Sequence, residues 1–456
     1  MIIIKIIETS KYNDKRFYEV SEKNILNHKV NMSDCETVNI NINHEKKYQE
    51  FLGFGGAFTE SGAYVLNSVS EKTRKEVIKA YFNEKEGNGY EFCRTHINSC
   101  DFSLSNYTYV EENDETLETF NIERDRKYLI SFIKAAQEER GDKIFIYASP
   151  WSPPAYMKTN NRMNNGGSLK ENYYELWAKY FVRYIKEYEK EGIIIDGVTI
   201  QNEPMAKTPW DNCIYTSEQE RNFLKILSGE FKKNNLCNVK IIIWDHNKDI
   251  MKERIDTILS DKEAFDNVWG IGFHWYAESD SQSNIDNEIL EYAHNKYGKK
   301  LIFTEGCNPL YNIESGTLIG EWWTGEKYAR HIIADLNSYT VAWTDWNMVL
   351  NEKGGPNHVN NNCDAPILVN TETGEIYYNS PYYYIGHFSR YIKKGAIRLD
   401  YGINSDNLKT TVWESNGKVI IVILNETEKK QNYKINYKNE YLEYNIDKRS
   451  IQTIIL

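Results

Sequence analysis

The chain has little of what marks a disulfide-stabilised or membrane-spanning protein. Its 456 residues include seven cysteines, an odd number, scattered singly and without a Cys-x-x-Cys pair. That usage disfavours a secreted disulfide framework and favours a reduced, cytoplasmic setting. The sequence also lacks an apolar run of about 18 residues, so we expect no stable membrane insertion. The apolar stretch Ile2–Ile7 is too short for a signal peptide and is typical of a strand, although export without a cleavable signal stays open.

Positive charge is also scarce. The 55 Lys and Arg residues are outnumbered by 66 Asp and Glu residues, which gives a formal net charge of -11. A nucleic-acid partner is therefore disfavoured, because it would normally require a basic face. Aromatic residues, in contrast, make up 14% of the chain, with 34 Tyr and 11 Trp. Most of these will pack in the core, but aromatic faces are also what sugar rings stack on. None of these features indicates an oligomeric state.

Strand-like segments alternate with amphipathic helical patterns between residues 48 and 385. This alternation predicts an α/β fold, a (β/α)8 TIM barrel with enlarged loops, as the catalytic domain. The eight predicted barrel strands are Glu50–Gly55, Phe92–Ile97, Lys143–Ser149, Gly197–Gln201, Val239–Trp244, Gly270–Trp275, Leu301–Thr304 and Thr340–Trp346. The predicted helices include Glu71–Phe82, Glu123–Glu139, Lys170–Glu189, Ser217–Lys233 and Glu321–Asn337.

Short antiparallel strands are predicted on both sides of this region. Residues 386–456 contain the strand-like runs Thr410–Trp413, Lys418–Leu424 and Ser450–Leu456, and residues 1–47 contain Ile2–Ile7 and Val38–Ile42. We expect residues 386–456 to form a small β-sandwich that the N-terminal strands complete, attached to the barrel of residues 48–385.

Two glutamates end predicted barrel strands about a hundred residues apart. Glu203 follows the strand Gly197–Gln201 and precedes Pro204, which stops the strand, and Glu305 follows Leu301–Thr304. Side chains at the carboxyl ends of barrel strands face the mouth where substrates bind. Asn202, just before Glu203, can hydrogen-bond a sugar hydroxyl beside the anomeric carbon. Gly306 would allow an unusual backbone path after Glu305.

This pair predicts a retaining glycosidase, in which two carboxyls lie about 5–5.5 Å apart. Glu305 would attack the anomeric carbon while Glu203 protonates the departing oxygen and later deprotonates water. The assignment requires Glu203 to hold its proton near neutrality, and the negative charge of Glu305 would raise the pKa of Glu203.

Several further segments carry a family resemblance, in chain order. They are Leu52–Glu60, Ser99–Ser103, Ala148–Pro154, Gln201–Pro204, His274–Tyr276, Thr304–Cys307, Trp343–Asn347, Gly354–Asn357 and Gly386–Ser389. Together they resemble glycoside hydrolase family 30, in particular its glucosylceramidase-like members, from about residue 48 to the C-terminus. A lone Asn-Glu-Pro would be weaker, since many retaining barrel glycosidases share it.

The resemblance implies that Glu203 is the acid/base, that Glu305 is the nucleophile, and that no cofactor or metal is needed. It also implies sugar contacts for a further set of residues, with Tyr276 near the nucleophile: Glu60, Trp151, Asn202 and Trp346. His274 has a place in the same pattern and is included with the substrate-binding residues. Arg94 either orients Glu305 and lowers its pKa or forms a structural ion pair. Asp345 either binds a hydroxyl or terminates the last barrel strand.

One residue departs from the family pattern. Glucosylceramidases usually carry Asp at the position of Glu60, and one extra methylene reshapes contacts to distal hydroxyls. The expected substrate is a β-linked glucoside or glycolipid cleaved by exo action. Alternatives within the family are a β-1,6-glucanase, a β-xylosidase or a β-fucosidase, and the choice between exo and endo action depends on the depth of the pocket.

Two other classes of protein compete with this reading. His96, Asp245, His246 and His274 fall near strand ends and raise the alternative of a metal hydrolase, but their spacing matches no familiar ligand motif. A carbohydrate-binding protein without catalysis would keep the aromatic walls and lose one acid, whereas this sequence has both.

Overall fold

The protein, described here as a computed structural model over residues 5–21, 37–277, 287–312 and 316–456, contains a closed barrel of eight parallel strands. Ile2–Ile4 of the predicted first strand lie outside these residues. Strands are numbered along the chain, and the barrel order is β10, β13, β4, β5, β6, β7, β8 and β9. Their bounds are β4 Gly53–Phe58, β5 Phe92–Ile97, β6 Phe145–Pro150, β7 Gly197–Thr199, β8 Lys240–Asn247, β9 Val268–His274, β10 Lys300–Glu305 and β13 Thr340–Asn347. The predicted (β/α)8 architecture is confirmed.

The barrel strands are buried on both faces, as expected where helices cover a parallel sheet. Every residue of β4, β5 and β13 is buried. The first predicted barrel strand, Glu50–Gly55, begins three residues before the observed strand β4, because Glu50 is the last residue of the long strand β3 in the other sheet. Gly55 allows β4 to approach β5, since a Cβ atom there would lie 1.9 Å from the carbonyl oxygen of Phe92.

Helices cover the barrel between its strands, and capping residues set where several of them begin. The α-helices are α1 Glu60–Ser68, α2 Glu71–Phe82, α3 Glu123–Lys127, α4 Leu129–Arg140, α5 Tyr174–Lys190, α6 Ser217–Lys233, α7 Met251–Leu259, α8 Lys262–Asn267, α9 Glu288–Tyr297, α10 Trp322–Asn337 and α11 Ser380–Ser389. Thr216 and Gln219 form a reciprocal capping box at the start of α6. Ser70 caps the start of α2, where its side chain accepts a hydrogen bond from the backbone N–H of Thr73.

A second sheet of nine strands combines both ends of the chain, in the order β2, β1, β22, β19, β18, β17, β3, β20 and β21. Its strands are β1 Lys5–Ser10, β2 Tyr18–Val20, β3 Val38–Glu50, β17 Ile397–Ile403, β18 Lys409–Ser415, β19 Lys418–Asn425, β20 Gln431–Tyr437, β21 Glu440–Ile446 and β22 Ser450–Ile455. Tyr433 on β20 hydrogen-bonds Gln452 on β22 at 2.9 Å, although four strands separate them in this order. The sheet therefore folds back on itself around an apolar core, which makes it a sandwich.

Small sheets and short helical turns surround the mouth of the barrel. The strands are β11 Tyr311–Asn312, β12 Gly316–Thr317, β14 Val349–Asn351, β15 Ile367–Val369 and β16 Ile376–Tyr378, with 3-10 turns at Ala155–Met157 and Glu171–Tyr173. Among the residues described, no helix is long and apolar enough to cross a membrane.

The carboxyl ends of the barrel strands are irregular in a way that matters for the site. The parallel register shifts between Trp244 and His246 on β8, and again between Phe303 and Glu305 on β10. Such bulges re-aim the side chains that follow them. Both shifts lie at the end of the barrel where ligands bind in this fold.

Candidate active site

Glu305 is the last residue of β10 and is held by two donors. Arg94 donates from Nη1 to Oε2 at 2.5 Å, and the Tyr276 hydroxyl donates to Oε1 at 2.9 Å. The glutamate is only 6% exposed. Gly306 does not adopt an unusual backbone conformation, contrary to expectation. Its small size is needed for packing instead, because a Cβ atom there would lie 2.6 Å from the Phe303 ring and 2.7 Å from Trp275.

Glu203 lies four residues beyond the end of β7, which is shorter than predicted. Its own backbone has a φ of 46°, a region that non-glycine residues rarely adopt. The backbone N–H of Glu203 donates to the Asp245 carbonyl at 3.0 Å, which fixes this conformation beside β8. Its carboxylate Oε1 lies 3.0 Å from Nδ1 of His274 and 3.5 Å from Nδ1 of His246.

A continuous network of side chains joins the two glutamates. Arg94, which is fully buried, reaches Glu305 with Nη1 and Asp245 with Nη2, the latter at 2.7 Å. Asp245 in turn contacts Nε2 of His274 at 3.0 Å, and Nδ1 of His274 contacts Glu203. The structure thus brings both predicted carboxylates to one site, linked by three intervening side chains.

Asn202 and two tryptophans surround the guanidinium of this network. Asn202 accepts a hydrogen bond from Arg94 Nη2 at 2.9 Å. The rings of Trp151 and Trp346 stack on each other, with centroids 5.1 Å apart, and both are 2% exposed. The Arg94 guanidinium lies 4.8 Å from the Trp151 ring and 5.6 Å from the Trp346 ring, a cation–π arrangement. All three predicted residues therefore lie at the site.

Glu60 is engaged by the protein itself. Its Oε1 accepts from Arg124 Nε at 2.5 Å, and its Oε2 accepts from the backbone N–H of Leu104 at 2.9 Å. The side chain is 2% exposed. A sugar contact would have to compete with these donors. His96, one of the alternative metal ligands, is also occupied, since its Nε2 accepts from the backbone N–H of Glu60 and its Nδ1 contacts the Asn98 carbonyl.

Two residues predicted to bind substrate have other positions. His274 is fully buried and both its ring nitrogens contact carboxylates, so it supports Glu203 and offers no free nitrogen to a sugar. Asp345 is 1% exposed and accepts a 2.7 Å hydrogen bond from Tyr328 on α10. Because successive residues of a strand point to opposite faces, Asp345 faces the helix layer while its neighbour Trp346 faces the site.

The electrostatics assign the proton of the network to His274. Burial alone would lower the pKa of His274, but the charge of Glu305 and hydrogen bonds to Asp245 and Glu203 raise it to about 9. Burial opposes ionisation of Glu203, yet the contacts of His246 and His274 lower its pKa below the ordinary range. This direction runs against the expectation that Glu203 itself holds a proton near neutrality. Burial raises the pKa of Glu305, against the opposing charges of His274 and Arg94.

Asp101 is a site residue that the sequence analysis did not single out. It is 6% exposed, its Oδ2 accepts from Asn361 at 2.9 Å, and its Oδ1 has no hydrogen-bond partner in the described parts of the chain. Burial and the charges of Glu305 and Glu203 raise the pKa of Asp101 to about 8. A buried carboxyl oxygen without a partner, facing two acids, is suited to accept a ligand hydroxyl. Its position in the segment Ser99–Ser103 was the available signal.

Asp245 and His246 were noticed in the sequence only as alternative metal ligands. The structure makes Asp245 the bridge between Arg94 and His274. Within the described residues, His246, His274 and Glu203 form a cluster whose ligand atoms all lie within 4.8 Å of one another. These three side chains have the ligand atoms to hold a cation.

Comparison with family models covers almost the whole chain. A model described as "Glycosyl hydrolase family 30 TIM-barrel domain" matches residues 51–392. A second model, described as "Glycosyl hydrolase family 30 beta sandwich domain", matches residues 395–454. The first match contains every barrel strand and both glutamates.

Individual relatives span most of the chain. The lysosomal acid glucosylceramidase of Mus musculus is 33% identical over 401 residues, which cover 85% of this chain and 77% of the mouse protein. The crystal structure of SrfJ from Salmonella typhimurium superposes with a TM-score of 0.89 at 31% identity and covers 100% of this chain and 99% of SrfJ. The endo-beta1,6-glucanase BT3312 gives a TM-score of 0.86 at 25% identity, with 99% of this chain and 98% of that chain covered.

Proposed function

The chain belongs to glycosyl hydrolase family 30 and is a glycosidase, and on that premise we propose that it cleaves β-glucosides by a retaining mechanism with exo action. Glu305 is the proposed nucleophile and Glu203 the proposed acid/base. The cytoplasmic location and the roles of the individual site residues remain predictions within this proposal.

One observation carries the proposal: two carboxylates at strand ends of one barrel mouth belong to the same hydrogen-bond network. Arg94 donates to Glu305, and His274 contacts Glu203, with Asp245 between them. The two acids have different partners, an arginine and a tyrosine hydroxyl for Glu305 and imidazoles for Glu203. Different environments for paired carboxylates are the basis for dividing nucleophile and acid roles between them.

In the first step Glu305 attacks the anomeric carbon, and the glycosidic oxygen leaves with a proton. Arg94 and Tyr276 orient the Glu305 carboxylate through both of its oxygens. Glu203 delivers the proton, which it receives across the 3.0 Å contact from Nδ1 of His274. Asp245, on the far side of the ring, stabilises the positive charge of His274 before that transfer.

In the second step water attacks the glycosyl ester, and its proton returns to Glu203. Glu203, ionised after the first step, accepts this proton and returns it to Nδ1 of His274, and esterification of Glu305 removes the repulsion between the two acids. The anomeric configuration is therefore retained, and a β-glycoside gives a β-sugar as the first product.

A glucosylceramide-like substrate is our first choice, supported by 33% identity to the mouse glucosylceramidase. A β-1,6-linked glucan is the second candidate, because the glucanase structure matches with a TM-score of 0.86. β-Xylosides and β-fucosides complete the set of family alternatives. The carboxylate of Glu60 bears on this choice, since Arg124 and the backbone N–H of Leu104 already occupy both of its oxygens.

The first prediction concerns the two acids. Glu305→Gln removes the nucleophile and should abolish turnover of an aryl β-glucoside. Glu203→Gln should slow substrates with poor leaving groups by about 10²–10⁴-fold and substrates with activated leaving groups far less, because only the former need a proton. Steady-state rates on matched aryl glucosides and glucosylceramide measure both effects.

Glu187→Gln serves as the control, since Glu187 is a largely buried glutamate paired with Lys190 on the outer helix α5. This variant should retain wild-type rates. Product anomers are followed by NMR from the earliest times. Initial release of the α-anomer would rule out retention, and faster turnover of a β-1,6-glucan than of every β-glucoside would replace the first substrate choice by the second.

A further inference from the structure

Three side chains at the acid end of the network have the geometry of a transition-metal site. Oε1 of Glu203 lies 3.0 Å from Nδ1 of His274 and 3.5 Å from Nδ1 of His246. Zn²⁺ bonds of about 2.0–2.2 Å in a tetrahedral site separate neighbouring ligand atoms by roughly 3.4 Å. The two measured separations bracket that value, and all three ligand atoms lie within 4.8 Å of one another.

Nδ1 of His246, the nitrogen that lies at this cluster, has no other evident role. This nitrogen is buried and makes no ordinary hydrogen bond in the parts of the chain that the structure describes, because the 3.5 Å contact with Oε1 of Glu203 is longer than such a bond. The preceding residues Trp244 and Asp245 both have positive φ, 74° and 54°, at the register shift of β8. Strained backbone of this kind persists where the surroundings hold a side chain in a particular direction.

His274 already has the support that metal-bound imidazoles usually have. Its Nε2 contacts Asp245 at 3.0 Å, and Asp245 is held by Arg94 at 2.7 Å. A carboxylate behind the imidazole fixes the ring and leaves the opposite nitrogen, Nδ1, for the cation. Glu203 and His246 keep 16% and 14% of their side chains exposed, so the cluster is reachable from solvent.

We propose that Glu203, His246 and His274 form an inhibitory site for Zn²⁺ or a cation of similar ligand preference. Binding releases the proton of His274 Nδ1 to solvent and gives the cation two nitrogens and one carboxylate oxygen, with a fourth position open to water. The inhibition rests on the proposed function, because the cation occupies the acid/base and removes the proton that it would deliver. Binding itself does not depend on that function.

The ligand set and the surrounding charge favour Zn²⁺ over Mg²⁺. Imidazole suits borderline transition metals, whereas Mg²⁺ requires near-octahedral oxygen coordination. Once His274 is neutral, Arg94 is the cation that the described residues place against the carboxylates of Asp245 and Glu305, and the charge of Glu203 beside them is not offset by it. A divalent cation would neutralise the remaining charge.

The test measures binding and activity separately on the full-length protein. Calorimetric titration with Zn²⁺ should give one site, and hydrolysis of an aryl β-glucoside should fall in parallel with its occupancy, while Mg²⁺ has no effect. His246→Asn should raise the dissociation constant for Zn²⁺ at least about tenfold. Its concentration for half-inhibition, taken relative to its own uninhibited rate, should rise by the same factor. His44→Asn is the matched control, because the partly exposed His44 also pairs with a glutamate, at 2.9 Å, but belongs to no such three-ligand cluster among the described residues.

Co²⁺ binding to the wild-type protein gives a readout that needs no variant. Visible ligand-field bands typical of tetrahedral nitrogen and oxygen ligands, displaced by Zn²⁺, would support the site. A thiolate-to-cobalt charge-transfer band would overturn it and assign the cation to Cys307 and Cys363, whose thiols lie in contact nearby. Zn²⁺ binding of unchanged affinity in His246→Asn would also overturn it. If the wild-type protein hydrolyses no glucoside but binds Zn²⁺ as stated, the proposed function fails and the site stands.

Discussion

Arg94 is the residue on which the charge balance of the site depends. It is fully buried, donates to Glu305, Asp245, Asn202 and Ser149, and lies against two indole rings. A buried ion pair gains little net stability, but removing one partner leaves an uncompensated charge and costs several kcal/mol, about 3–5. The guanidinium fork is therefore a positioning device that fixes one oxygen of the nucleophile and, through Asp245, the imidazole behind the acid.

Arg94→Lys is expected to keep the charge and lose this positioning. A lysine ammonium cannot reproduce four donor contacts in fixed directions. We expect kcat to fall roughly 10²-fold, the scale of losing one positioned donor, with a much smaller change in KM. The control is Arg140→Lys, since Arg140 forms a comparable ion pair with Glu91 at 2.8 Å away from the site. Steady-state kinetics measure kcat and KM of both variants, and unfolding midpoints measure their stability. An equal loss of kcat in both variants would contradict the positioning role of Arg94.

The sequence predicted which residues meet at the site better than it predicted what each one does. Glu203, Glu305, Asn202, Trp151 and Trp346 were found because strand ends and motif order fix their place along the chain. The partners of Glu60, His274 and Asp345 were not found, because each depends on a residue far away in sequence: Arg124, Asp245 and Tyr328. The side of a strand on which a residue lies follows from tertiary register, which local pattern does not encode.

At the scale of elements, capped amphipathic helices were predicted most accurately. Helix α2 and helix α6 have the predicted bounds, and Ser70 and Thr216 cap them. The predicted helix Glu123–Glu139 is instead two helices, divided at Tyr128. Strands β17, β20 and β21 were missed. Buried and exposed positions follow no regular alternation along β17 and β21, and β20 alternates regularly but consists mostly of polar residues and tyrosine. Their pairing partners include β3, which is near the other end of the chain.

Two glycines allow an element-level test of barrel packing. Gly55→Ala should destabilise the protein by about 3 kcal/mol, because its Cβ would overlap the Phe92 carbonyl of the adjacent strand at 1.9 Å. Gly229→Ala should stabilise by about 0.5–1 kcal/mol, since Gly229 lies within α6 with nothing within 4 Å of an added Cβ. Chemical unfolding midpoints measure both. Equal effects of the two substitutions would show that the close approach of β4 and β5 does not limit stability.

At the scale of the whole molecule, helix α11 joins the barrel to the sandwich. His387 on this helix is fully buried and lies between Thr453 of β22 and Thr9 of β1. The Thr453 hydroxyl donates to the His387 carbonyl and so accepts from Nδ1–H. The Thr9 hydroxyl accepts from the N–H of Phe17 and so donates to Nε2. A neutral imidazole therefore has a hydrogen-bond partner at each ring nitrogen. These two hydrogen bonds connect both ends of the chain to one helix.

This joint should weaken in acid in a way that one substitution can isolate. Burial and the charge of Arg390 lower the pKa of His387 to about 3, whereas an unfolded histidine has a pKa of about 6.5. Between these values the unfolded chain binds a proton that the folded chain does not. The His387 contribution to the free energy of unfolding is therefore fully present above about pH 6.5 and falls by about 1.4 kcal/mol per pH unit below it.

In His387→Gln that dependence is removed, so the stability difference from wild type, measured by chemical unfolding between pH 7 and pH 4, should shrink steadily as the pH falls. Substituting the partly exposed His44 by Gln provides the control, and its curve should stay parallel to that of the wild type. A constant difference for His387→Gln across this range would mean that the folded and unfolded chains bind the same number of protons at this position, against the neutral imidazole assigned from Thr9 and Thr453.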